Sequence, residues 1–236
     1  MDATRPLSNP RLCYRPLVPF EPTLRKQICQ AAAHLYDRGH GAPGDGNISV
    51  RLSERYLLTT PTGEHKGQLE PTQLVKVRFA TGEGVDGSPS SELRMHLAIY
   101  RGRPDIRAIV HAHSPHTVGL TVSGHSLEAP VVPEAIQALG GIPTVPYASP
   151  TTEAVANAVL PYALTYNAFV LERHGPVTLG ASLPEAMARL EVVEHTAQIT
   201  AIGLATGGAE PIGESEASRL RQLAMDAGLL RSPDAP

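Results

Sequence analysis

Helical and strand patterns alternate along almost the whole of this 236-residue chain, and no linker between them is long enough to divide it. That interleaving constrains the fold more than any other feature, because strands separated by helices build a sheet that helices cover. The first helix is expected over "PTLRKQICQAAAHLYDRGHG", with Thr23 as its cap and Leu24, Ile28, Ala31 and Leu35 on one face. Strands follow in "GDGNISVRL", "RYLLTTP" and "LVKVRF". A helix in "SSELRMHLAIYRGRP" is capped by Ser90 or Ser91, and a short buried strand lies in "RAIVHAH". The stretch from Gly119 to Pro143 reads as strand, loop and one short helix. A helix that Pro161 kinks or shortens comes next, then two strands around the glycine turn of "LERHGPVTLG". A long helix opens on a capping box of Ser182 with Glu185, and an amphipathic helix closes the chain. Residues 1–21 hold four prolines and little periodicity, which predicts an extended arm ahead of one domain over 22–236.

Composition excludes several classes of function. Net charge is −3, so nothing draws the chain toward nucleic acid or an anionic membrane, and no nucleic-acid-binding motif is present. No apolar run approaches membrane-spanning length. Two cysteines, Cys13 and Cys29, cannot build a disulfide framework, and the N-terminus lacks a signal-peptide pattern, so a reduced cytoplasmic setting is expected. With no tryptophan, the core must rest on Ala, Val, Leu and Ile.

The chemistry concentrates in "RAIVHAHSPH". Side chains on a strand alternate faces, so His111 and His113 point the same way and can grip one metal ion. A third ligand is offered by His174 in "LERHG", where Gly175 lets the backbone turn away. Three imidazoles with an open position form the ligand set of a catalytic zinc, although neutral imidazole also suits Mn²⁺ and other divalent metals. Glu92, at the start of the preceding helix, is the candidate base beside such a metal, and its alternative is a first-turn glutamate that serves only the helix. His116 lies beyond the strand, either touching substrate or solvated. His34, His40, His65, His96, His125 and His195 have no comparable partner. Three polar turns with free N–H groups, "GDGNIS", "TPTG" and Ser90–Ser91, would make a phosphate pocket if they converge. No P-loop or GxGxxG pattern implies a nucleotide.

The ordered set "GDGNISVRL", "TPTG", "PSSELRMHLAIYRGRPDIRAIVHAH", "GGIPTVPYASPTTE" and "LERHGPVTLG" resembles the class II aldolase/adducin family, and most of all its L-fuculose-phosphate aldolases. The resemblance runs from about Pro22 to the last helix. It implies a three-layer fold with a central mixed or antiparallel sheet flanked by helices on both sides, assembled as a homotetramer with active sites at subunit boundaries. It implies Zn²⁺ on His111, His113 and His174, Glu92 as acid/base, and a sugar-phosphate substrate held by Gly46, Asn47, Thr62, Gly63, Ser90 and Ser91. The implied reaction is reversible cleavage of a ketose phosphate to dihydroxyacetone phosphate and an aldehyde through an enediolate. The alternatives within the family are a decarboxylase and a pentulose-phosphate 4-epimerase, and an adducin-type head would be a metal-free scaffold. Two features depart from the pattern: the family's C-terminal lid tyrosine has no counterpart in "LAMDAGLLRSPDAP", and a second tyrosine is replaced. The aldolase tyrosine donated by a neighbouring subunit falls on Val132, which leaves Glu134 or His116 to replace it.

Overall fold

A computed structural model describes residues 20–230. Chain order is α1 (Glu21–Asp37), β1 (Asn47–Arg51), β2 (Tyr56–Thr59), β3 (Val75–Arg78), α2 (Leu93–Gly102), β4 (Ala108–His111), α3 (Pro115–Val122), α4 (Pro133–Leu139), β5 (Thr144–Val145), α5 (Glu153–Thr165), β6 (Ala168–Leu171), β7 (Gly175–Gly180), α6 (Leu183–Ala205) and α7 (Glu214–Asp226), with a 3₁₀ turn at Lys66–Gln68. The strands form a single sheet in the order β3-β2-β1-β4-β7-β6-β5. Every pairing is antiparallel except β5 with β6. The expected mixed, mostly antiparallel sheet between helical layers is therefore present.

The pleat decides which residues meet which helices. Along β4, Ala108 and Val110 join the core beneath α1 and α6 with Ile28, Leu35 and Leu190, while Ile109 joins the opposite core with Leu97, Ile99 and Val159 from α2 and α5. His111 and His113 share the parity of Ile109, so both fall on the α2 face. On β1, which pairs Asn47 with His111, the same alternation sends Asn47 and Ser49 toward α2.

Several local expectations are corrected. Helix α1 begins at Glu21 with Pro22 in its first turn, so Thr23 lies inside the helix and does not cap it; the apolar face of Leu24, Ile28, Ala31 and Leu35 is buried as expected. Glu92, not a serine, is the N-cap residue of α2, because a tight turn in which Leu93 N–H donates to the Ser90 carbonyl (3.1 Å) comes just before it. Helix α5 continues through Pro161 to Thr165. The Gly119–Pro143 stretch is the largest miss. It holds the second half of α3 and all of α4, which is the expected short helix, with only the two-residue β5 beyond. Its β-branched Thr121 and Val122 suggest a strand, but the carboxylate of Glu194 on α6 accepts from His116 N–H (3.0 Å), Thr117 N–H (3.0 Å) and the Thr117 hydroxyl (2.7 Å) and fixes the start of the helix that runs into this stretch. Half of the box at α6 forms as expected, Ser182 Oγ accepting from Glu185 N–H, whereas Glu185 Oε2 accepts from Ala181 N–H, one residue before the cap. The arm lies outside the described residues save for Phe20 and Glu21. Among the described residues, no helix is long and apolar enough to cross a membrane.

Candidate metal centre and anion cleft

His111 ends β4 and is fully buried. Its Nδ1–H donates to the Pro176 carbonyl on β7 at 2.9 Å, which fixes the tautomer and turns Nε2 inward. His113 follows two residues on, and the two ring centroids are 5.1 Å apart. His174 comes from the turn joining β6 to β7, where His174 N–H donates to the Leu171 carbonyl at 3.0 Å. Arg173 within that turn takes a left-handed φ of 61°, and its N–H is held by Thr121 Oγ1 at 2.9 Å. The turn places the His174 ring centroid 4.6 Å from those of both other histidines. Two glycines allow the approach. A Cβ on Gly46, at φ +68°, would lie 2.6 Å from the His111 carbonyl oxygen, and one on Gly175, at φ +129°, would collide with the Ala112 carbonyl.

Glu92 enters from the start of α2. Asn47 Nδ2–H donates to its Oε2 at 2.7 Å. That oxygen lies 3.4 Å from His111 Nε2, and Oε1 lies 3.4 Å from His174 Nε2. One ligand atom from each of Glu92, His111, His113 and His174 falls within 4.8 Å of the others. Burial and the neighbouring imidazoles hold the His111 pKa well below the ordinary value, and burial likewise lowers that of His174. A neutral His111 that donates through Nδ1 must present a lone pair at Nε2, facing a carboxylate. His111 Nε2, His113 Nε2 and Glu92 Oε1 are all buried without a hydrogen-bond partner. Ligand atoms gathered this closely, several of them buried without a partner, are the arrangement a cation relieves. The donor set therefore fits a divalent metal.

The three predicted turns converge beside this cluster. Gly46, Asn47, Thr62, Gly63, Ser90 and Ser91 line one cleft together with Glu92, His113 and His174. Asp45, Lys66 and Thr151 also line it and were not singled out from the sequence. Asp45 Oδ2 stands 3.4 Å from His113 Nδ1, and only its place in the quoted "GDGN" turn could have drawn attention to it. Thr151 has a φ of 67°, a strained conformation for a β-branched residue, of the kind that gathers at ligand sites.

Other residues stand apart. Glu134 is exposed in the first turn of α4 and lines no part of the cleft, and Val132 precedes that helix. His116 is engaged by Glu194, with Nδ1 at 2.8 Å from Oε1. His96 and His40, passed over in the sequence, are buried: His96 Nδ1 meets Ser49 Oγ at 2.7 Å, and His40 Nδ1 meets Ser114 Oγ at 2.9 Å. Desolvation pushes the His96 pKa down to about 3 and lowers that of His40. An unfolded histidine takes up its proton near pH 6.5, so below that pH the unfolded chain binds more protons than the folded one. Above pH 6.5 these two rings therefore cost the fold nothing. Folded stability falls as pH drops toward 3, with His96 contributing about 1.4 kcal/mol per pH unit. Urea midpoints of metal-free protein between pH 6.5 and 4.5 check this: His96→Gln flattens the dependence by about one proton. An unchanged slope contradicts a ring held neutral by burial.

The family model of the class II aldolase and adducin N-terminal domain matches residues 26–201, three quarters of the chain. The chain belongs to this family. Among class II aldolase relatives, it is 36% identical over 184 residues to the 3-oxo-tetronate 4-phosphate decarboxylase of Escherichia coli strain K12, an alignment covering 76% of this chain and 86% of that one. It is 35% identical over 177 residues to the L-fuculose phosphate aldolase of Methanococcus vannielii, covering 75% and 95%. The crystal structure of YgbL from Escherichia coli superposes with a TM-score of 0.79 at 34% identity, covering 85% of this chain and 99% of that one. The expected class II aldolase fold is thereby shown, and the chain is an enzyme of that superfamily.

Proposed function

We propose that the protein is a divalent-metal-dependent decarboxylase of a phosphorylated short-chain 3-oxo acid, with 3-oxo-tetronate 4-phosphate as its substrate. The observation that carries this reading is one cleft lined both by phosphate-type turns and by a carboxylate among three imidazoles. The similarity to the Escherichia coli decarboxylase supports it over the aldolase expected from the sequence.

Residue chemistry favours the same choice. Aldol cleavage must take a proton from the hydroxyl of the departing aldehyde, whereas a carboxylate leaves as CO₂ with no proton to remove. Val132 has no proton to exchange, and Glu134 lies outside this cleft, so it could act only in a site of a neighbouring copy. In the proposed reaction the C1–C2 bond breaks and CO₂ departs. The electron pair collects as an enediolate across C2 and C3, and C2 then takes a proton to give dihydroxyacetone phosphate. A divalent cation held by His111, His113 and His174, which we assign as Zn²⁺ with Mn²⁺ as the alternative, supplies Lewis-acid stabilisation of the developing charge. Glu92 Oε1, free of hydrogen-bond partners, would take up a proton from solvent and pass it to C2, while Asn47 holds Oε2 and keeps the side chain aimed. The Gly46–Asn47, Thr62–Gly63 and Ser90–Ser91 turns receive the phosphate.

The similarity to the Methanococcus aldolase favours a second reading, L-fuculose 1-phosphate cleavage through the same enediolate. Metal-loaded protein should release CO₂ from 3-oxo-tetronate 4-phosphate and little aldehyde from L-fuculose 1-phosphate. Aldehyde release without CO₂ contradicts the decarboxylase reading and supports the aldolase.

A further inference from the structure

The phosphate turns supply N–H groups and hydroxyls but no fixed positive charge, while two carboxylates, Asp45 and Glu92, face the same space. A phosphate monoester entering there meets repulsion unless a cation stands near the turns. Among the described residues lining the cleft, Lys66 is the one lysine or arginine. It is only 7% exposed. Its Nζ donates to the Gly44 carbonyl at 3.2 Å and the Glu64 carbonyl at 2.9 Å. Those carbonyls adjoin the Asp45–Asn47 turn and the Thr62–Gly63 turn, so the ammonium bridges the two loops. An ammonium has three N–H donors, and two are engaged. Among the described residues, no carboxylate pairs with it within salt-bridge distance. A buried cation held only by carbonyls costs free energy that an incoming anion would offset. Its position is rigid: His65, the preceding residue, packs edge-on against Tyr36 of α1 with ring centroids 4.7 Å apart, and His65 Nδ1 accepts from Gly67 N–H at 3.2 Å.

We infer that Lys66 is a substrate-binding residue that donates its third N–H to the phosphate monoester and supplies the charge that selects phosphorylated over unphosphorylated acids. This inference deepens the proposed function and rests on it for the identity of the substrate, though not for phosphate binding itself. Lys66 also staples the two turns, so its variants must separate charge from architecture. Lys66→Gln keeps an N–H for a carbonyl and loses the charge, Lys66→Met loses both, and Lys66→Arg keeps the charge.

The test titrates inorganic phosphate into metal-loaded wild type and the three variants, with metal content measured alongside. Lys66→Gln and Lys66→Met should bind phosphate about 10- to 100-fold more weakly, the loss of one charge-assisted hydrogen bond, with metal retained, and Lys66→Arg should recover most of the affinity. In turnover, KM for 3-oxo-tetronate 4-phosphate should rise by a similar factor in Lys66→Gln, with kcat changed less and unphosphorylated 3-oxo-tetronate unaffected. Phosphate binding by Lys66→Gln as tight as wild type overturns the inference, as does an equal loss on both acids or a wild type that binds no phosphate. If the phosphate titrations follow expectation but no acid releases CO₂, the inference stands and the decarboxylase reading falls.

Discussion

Glu92→Gln should lower kcat for CO₂ release by about 10²- to 10⁴-fold, the usual span of a positioned acid/base, while leaving KM and bound metal close to wild type. The variant is isosteric. Its amide oxygen can still accept from Asn47 Nδ2, which now donates to Oε2 at 2.7 Å, so the side chain should keep its place. What it loses is the proton that Oε1 can carry into the cleft. Steady-state kinetics together with metal stoichiometry separate the two roles open to a glutamate at this position. Normal turnover in Glu92→Gln means that the carboxylate only caps α2 or balances charge. Lost turnover together with lost metal means that Glu92 acts chiefly as a ligand.

Stripping the protein with a chelator should abolish turnover and also lower its melting temperature. The second effect follows from the geometry. His111 Nε2, His113 Nε2 and Glu92 Oε1 are buried without partners, so the metal-free fold carries unsatisfied groups that a cation would satisfy. A ligand at about 100 times its Kd stabilises by about 2.7 kcal/mol. In a chain of this size that corresponds to about 5–10 °C in Tm. Differential scanning calorimetry before and after chelation reads the shift, and adding back Zn²⁺ or Mn²⁺ should restore both Tm and turnover. Loss of activity with no change in Tm would place the essential metal outside this cluster.

Much of the site was legible because strand parity is a strict rule. An HxH pair closing an apolar strand must put both rings on one face, and the face that holds Ile109 is the one α2 covers. The glycines of "GDGN" and "HG" marked turns, and Gly46 and Gly175 abut the 111–113 segment, a closeness the turns alone did not report. What stayed hidden depends on contacts between distant parts of the chain. The start of α3 is fixed by Glu194, 77 residues further along, and no local pattern reports it. His96 reads as an ordinary helical histidine until Ser49 and Tyr100 are seen packed around the same buried hydroxyl cluster. Lys66 looks like a loop lysine until its ammonium is found between the Gly44 and Glu64 carbonyls. The choice between decarboxylase and aldolase was legible only in the Val132 departure, because both proposed reactions would pass through the same enediolate and ask the same of His111, His113, His174 and Glu92.

The central claim is that these three imidazoles hold one divalent cation beside Glu92, and a crystal structure of metal-loaded protein with anomalous data tests it most directly. The account predicts a single ion about 2.0–2.1 Å from one nitrogen each of His111, His113 and His174. An ion bound elsewhere, or a protein that takes up none when Zn²⁺ or Mn²⁺ is supplied, would contradict it.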